Sequence, residues 1–115
     1  MTTTIYGIPN CTSVKKARGW LEERDINYRF HDLRADGLEP DLLEQLADAA
    51  DWHSLLNTQS KTFRELPDKQ AVAADRDAAL AAMLQHPTLI KRPVLEHGDR
   101  VHVGFNEGEW ENTLC

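Results

Sequence analysis

A thiol at position 11, a lysine at 15 and an arginine–proline pair at 92–93 are the residues of this chain best suited to do chemistry. Cys11 follows Gly7-Ile8-Pro9-Asn10, where a short β-branched segment breaks and an amphipathic pattern begins. That spacing puts the thiol at the N-terminal tip of a helix, where unpaired N–H groups and the positive end of the macrodipole favour an anion. A cysteine there is expected to ionise readily and to act as a nucleophile. Holding a thiol largely ionised at neutral pH takes roughly 2.7 kcal/mol more preference for the anion than an ordinary cysteine has. A helix terminus typically supplies about 0.3–1 kcal/mol, so the dipole alone falls short. Lys15, one turn further along the same helical face, is the local cation that closes the gap. A buried, inert thiol filling a small gap is the competing reading, and on these residues alone the two weigh evenly.

The neighbours of Cys11 divide in the same way. Thr12 and Ser13 read as cap residues whose hydroxyls satisfy first-turn donors, or as part of an anion cradle around the thiol. A role falls to Lys15, whereas Lys16 reads as solvated helix surface. Cys115, the last residue of the sequence, reads as a tail thiol that could resolve Cys11 only if the final helix returned it there. Residue 14 is Val, so no Cys-x-x-Cys pair exists, and the five histidines show no metal-ligand spacing. No metal site is expected.

The 115 residues suffice for one domain, and a formal net charge of −6 argues against nucleic acid as a partner. A hydrophobic content of 41% indicates a globular chain, and no run approaches the roughly 18 apolar residues of a membrane span. The opening Met1-Thr2-Thr3-Thr4 lacks the regions of a signal peptide, so a cytoplasmic monomer is the expectation.

These residues need elements to position them. Thr3 to Tyr6 reads as a strand, Cys11 to about Arg24 as a helix with Val14, Ala17 and Leu21 inward, and Ile26, Tyr28 and Phe30 as the alternating face of a second strand. Residues 38 to 86 read as a mainly helical insertion, with helices opening at Pro40, around Trp52 to Leu56, and from about Asp75 to Gln85. Two short strands follow around His97-Gly98-Asp99-Arg100, a hairpin signal. Asn106 and Glu109 suggest a capping box for a last helix carrying Trp110 and Leu114. The tryptophans Trp20, Trp52 and Trp110 read as packing residues. The order βαβ, helices, ββα predicts an α/β fold with a mixed four-stranded sheet.

Several segments together resemble the arsenate-reductase-like (ArsC/Spx) family: Tyr6-Gly7-Ile8-Pro9-Asn10-Cys11, Lys15-Lys16-Ala17, Phe30-His31-Asp32, Leu55-Leu56-Asn57, His86-Pro87-Thr88-Leu89-Ile90-Lys91-Arg92-Pro93 and Val103-Gly104-Phe105. The likeness covers essentially the whole chain and is nearest the family's YffB branch. It implies a single thioredoxin-like domain over residues 1–115, Cys11 as catalytic nucleophile, and Asn10, Thr12, Lys15 and Arg92 as substrate- or glutathione-binding residues. It implies a usually cis bond before Pro93, with Arg92 aiming its guanidinium fork at an oxyanion or carboxylate beside Cys11. Glutathione is the implied co-substrate, glutaredoxin a possible partner, and no bound cofactor is expected.

The sequence also departs from that family. Gly7 stands where the arsenate reductases carry a histidine, Asn57 replaces one arginine, and a residue of the Val103-Gly104 stretch replaces another. Val14 and Lys15 stand where a serine and an arginine would be, and Val14 also removes the second cysteine of the Spx switch. A glutathione-dependent thiol reductase is therefore the activity that the resemblance implies. A Spx-like protein-binding module without catalysis, and a glutaredoxin-linked arsenate reductase with a reduced arginine set, remain open beside it.

Overall fold

Strand β1 (Thr3–Gly7) is apolar in its middle and buried along nearly its whole length, as the central strand of a sheet should be. The computed structural model describes residues 2–115. β1 pairs in parallel with β2 (Arg29–Asp32) and antiparallel with β3 (Val94–His97), which in turn pairs antiparallel with β4 (Arg100–Val103). The sheet is mixed, in the order β2-β1-β3-β4. Gly98, at φ 61°, opens the two-residue β3–β4 connection, where a hairpin turn needs a positive φ that glycine adopts without steric cost.

Helix α1 (Thr12–Glu23) supplies the crossover between β1 and β2. Its inward residues Ala17, Trp20 and Leu21 meet Ile5 of β1, Leu95 of β3 and Trp110 of the last helix, α7 (Glu107–Leu114). Trp20 meets Trp110 and Phe105 edge-on, each with centroids 6.1 Å apart, a favoured arrangement for aromatic quadrupoles. The expected Asn106 cap is made, its Oδ1 accepting the Glu109 N–H at 3.0 Å. The Glu109 carboxylate turns to His102 Nδ1, 3.7 Å away.

The alternation Ile26, Tyr28, Phe30 predicts a strand from residue 26, but β2 begins only at Arg29. The first residues of that run close α1 instead. Asp25 N–H donates to Glu22 O and Ile26 N–H to Leu21 O, with Asp25 at φ 54°, which is a Schellman motif. Ile26 then packs on the core cluster that contains Leu21.

The described chain divides into two compact units, the residues up to Gly37 together with Arg92–Cys115, and Leu38–Lys91. The second unit holds α2 (Pro40–Ala49), α3 (Trp52–Leu55), α4 (Lys61–Arg64), α5 (Lys69–Ala74), α6 (Arg76–Gln85) and a 3₁₀ turn at Pro87–Leu89. Asp75 caps α6 through the Ala78 N–H, and Arg76 reaches Glu44 and Asp48 of α2 at 2.8 and 2.7 Å. Helices α4 and α5 are additions to the sequence reading. They are too short to display a 3.6-residue period, although Ser60 carries the signal for α4 by capping the Phe63 N–H.

Two substitutions probe the packing of the first unit. A Cβ at Gly7 would stand 2.7 Å from Val14 Cγ2 and 3.3 Å from Cγ1. Val14 is fully buried and has one stiff rotatable bond, so Gly7→Ala is expected to lower the unfolding free energy by about 1–3 kcal/mol, read from the urea midpoint. Asp25→Gly should raise it by about 0.5 kcal/mol, because relief of left-handed strain (roughly 1–2 kcal/mol) exceeds the extra entropy cost of glycine (roughly 0.5–1 kcal/mol). An unchanged midpoint in either variant contradicts the corresponding account.

Candidate functional site

The site is built at the C-terminal end of β1. Cys11 N–H donates to Ile8 O at 3.1 Å, closing a turn over Ile8-Pro9-Asn10-Cys11. Pro9 presets the φ of the first inner position, and Asn10 keeps a negative φ, which makes the turn type I. Cys11 itself is the N-cap of α1, extended at φ −84° and ψ 128°, and its side chain makes no capping hydrogen bond. This corrects the expectation that Thr12 and Ser13 would cap. They lie inside the first turn, exposed, and Cys11 is the residue that precedes the unpaired first-turn N–H groups. Cys11 is half-buried and unpaired, as is the exposed Cys115.

Arg92 reaches the same end of the sheet from the other chain direction. Tyr6 is opposite Val94 in the antiparallel β1–β3 ladder, so the segment entering β3, which carries Arg92, meets the sheet at the end where β1 runs on into the Cys11 turn. The Arg92–Pro93 peptide is cis, and Pro93 O accepts the Gly104 N–H at 2.7 Å, which fastens this corner to the end of β4. Arg92 is half-buried, and its Nε and Nη1 are buried without a hydrogen-bond partner among the described residues. Leaving buried donors of a charged group unmade costs on the order of 1–3 kcal/mol or more. A guanidinium so placed has hydrogens left to donate to an oxyanion or carboxylate.

The remaining expected residues fall as follows. Asn10 is exposed at the turn, Thr12 is exposed at the first helical position, and Lys15 is exposed one turn along α1. Gly7 lies directly beneath Val14 and has no room for a side chain, so an upstream histidine at that position is excluded by packing. Asn57, in the second unit, caps its own loop. Its Oδ1 accepts the Gln59 N–H at 3.0 Å, and its own N–H donates to Leu89 O at 2.8 Å. Among the described residues no group of three His, Cys, Asp or Glu side chains could hold a metal ion, and no helix is long and apolar enough to cross a membrane. The unmade donors of Arg92 were not foreseeable from composition or spacing, because they depend on burial.

Known proteins share this fold. The model of the ArsC family matches residues 6–113. The solved structure of the YFFB (PA3664) protein superposes with a TM-score of 0.92 at 39% identity, covering 99% of this chain and all of that one. An arsenate reductase (ArsC) related protein from Brucella melitensis superposes at 0.79 with 42% identity, over 97% of this chain and 93% of that one. The global transcriptional regulator Spx of Listeria innocua is 34% identical over 115 aligned positions, 96% of this chain and 86% of the regulator. The family model spans nearly the whole chain and the fold superposes closely on that of the YFFB (PA3664) protein, so the chain belongs to the ArsC family.

Proposed function

We propose that the protein is a glutathione-dependent thiol reductase of the reducing cytoplasm, acting as a monomer through Cys11 alone. The observation that carries this reading is the pair of buried, unmade donors on Arg92 at the end of the sheet where Cys11 caps α1. In the first step the Cys11 thiolate attacks the glutathione sulfur of a mixed disulfide, RS–SG. An S–S bond forms to Cys11, the RS–SG bond breaks, and RS⁻ leaves and takes a proton from water. In the second step the thiolate of a free glutathione attacks the glutathione sulfur of the Cys11 adduct, which releases the Cys11 thiolate and glutathione disulfide. Overall, RS–SG and GSH give RSH and GSSG, and the proton lost when the free glutathione ionises balances the one that RS⁻ gains.

Arg92 holds a carboxylate of the glutathione portion through its fork, and Lys15 with the first-turn N–H groups of α1 stabilises the sulfur anion. Asn10 and Thr12 border the same approach. Glutaredoxin can take the place of the second glutathione, because the Cys11 adduct presents the same bond to it. The arsenate-reductase relatives leave arsenate as an alternative electrophile, but a single arginine fork is a poor match for a small, doubly charged oxyanion.

The expected outcome is that the protein reduces a glutathionylated test peptide and that Cys11→Ser abolishes turnover. Arg92→Ala should lower kcat/KM about 10- to 100-fold, the loss of a charge-assisted contact of about 1.5–3 kcal/mol. Iodoacetamide should alkylate Cys11 at pH 6.5 well ahead of free glutathione, and more slowly in Lys15→Ala. Turnover no greater in wild type than in Cys11→Ser would falsify the catalytic reading. The likeness to Spx then favours a regulatory module, in which a partner protein is bound equally by wild type and Cys11→Ser.

A further inference from the structure

The sheet face turned away from α1 carries a second constellation. Thr4 and Tyr6 of β1 stand in register with Arg29 and His31 of β2, and strand alternation puts all four side chains on one face. With Phe30 and Asp36 they line a cavity of about 420 Å³, inside the range of small-molecule sites, roughly 300–1,000 Å³. None of these residues takes part in the Cys11 turn or the Arg92 corner.

The polar groups of this cavity are unevenly committed. Asp36 Oδ2 accepts the Asp32 N–H at 2.9 Å, and Asp32 Oδ1 accepts the N–H groups of Arg34 and Ala35. The Tyr6 hydroxyl donates to Glu96 Oε1 at 2.7 Å. The Arg29 side chain, by contrast, makes no hydrogen bond and no ion pair among the described residues. Its positive charge favours the Tyr6 phenolate, against the rise in pKa that burial, chiefly, and Glu96 impose there. His31 is fixed in place. Its Nε2 lies 2.7 Å from Gly37 O, and because a carbonyl only accepts, Nε2 carries the hydrogen. Its ring rests against Tyr6 with centroids 5.0 Å apart. That leaves Nδ1 as the ring's remaining polar atom.

We propose that this cavity binds a small, singly charged carboxylate of the hydroxy- or amino-acid class. The Arg29 fork matches a carboxylate in bidentate fashion. One guanidinium beside the Asp36 carboxylate suits one negative charge and disfavours two. Asp36 Oδ1 is placed to accept a hydrogen bond from a hydroxyl or ammonium group on the same ligand, and the Tyr6–His31 wall covers its carbon atoms. The site does not depend on Cys11, so its occupancy and the thiol chemistry can fail separately.

A titration of the full chain, followed by ¹H–¹⁵N NMR at constant ionic strength with sodium lactate and separately with inorganic phosphate, tests this. Lactate should shift the amides of Thr4, Tyr6, Arg29, His31 and Asp36 saturably, and more tightly than phosphate does. Arg29→Gln should weaken that binding about 10-fold or more, by loss of a charge-assisted contact. Arg29→Lys, which keeps the charge and loses the fork, should fall between. Arg92→Ala should leave the affinity unchanged. Arg29 is exposed on an edge strand, so the unchanged remainder of each spectrum establishes that the variants fold. Shifts that grow without saturating, survive Arg29→Gln, favour phosphate, or centre on residues 8–12 and vanish in Arg92→Ala would each overturn the proposal.

Discussion

The backbone of Gly7 and the side chain of Val14 touch, and the rest of the first unit is arranged around that contact. A Cβ on Gly7 would come within 2.7 Å of Val14, so the last residue of β1 and the first turn of α1 are as close as a strand and helix can be. Between them only a tight turn fits, and Pro9 shapes it. The turn delivers Cys11 to the N-cap with its side chain free of capping duty. Val14 fills the space above residue 7, and a glycine at 7 makes that space available, so the two work as one packed unit.

Electrostatics follows from the same geometry. The chain is acidic, yet its acids are drawn into caps, turns and exposed pairs: Asp75 caps α6, Asp32 holds its own turn, and Glu44 with Asp48 takes Arg76. Arg92 escapes such pairing, with two donors buried and unmade. Under the reading proposed above, a single guanidinium fork suits one carboxylate and lacks the several forks needed to surround a compact dianion.

Much of this was legible in the residues. Pro9-Asn10-Cys11 ahead of an amphipathic run marks a helix start, and hydrophobic spacing marks the helix that follows. Gly98-Asp99 between β-branched segments marks the hairpin. What could not be read belongs to contacts remote in sequence. The alternation at Ile26 and Tyr28 resembles a strand, but Ile26 is needed against Leu21 to close the Schellman motif, and tertiary packing overrides the period. Thr12 and Ser13 look like better caps than a cysteine, yet the Ile8 O to Cys11 N–H turn fixes where the helix begins. The Arg29–His31–Tyr6 cavity depends on the register of two strands, which no local pattern encodes.

Topology also decides how the last helix is held. β4 returns to the Arg92 end of the sheet, where Gly104 bonds Pro93, and α7 begins three residues further on. Its eight residues rise by about 12 Å and are followed by the exposed Cys115. The bond between His102 Nε2 and Thr113 Oγ1, 2.8 Å, and the burial of Trp110 hold that helix against the sheet. Pulling Trp110 from the core would cost several kcal/mol, so the body of α7 stays docked on the sheet. Under the thiol-reductase reading Cys11 works alone, and its sulfur, half-buried beside a turn and flanked by exposed Asn10 and Thr12, takes its resolving thiol from another molecule.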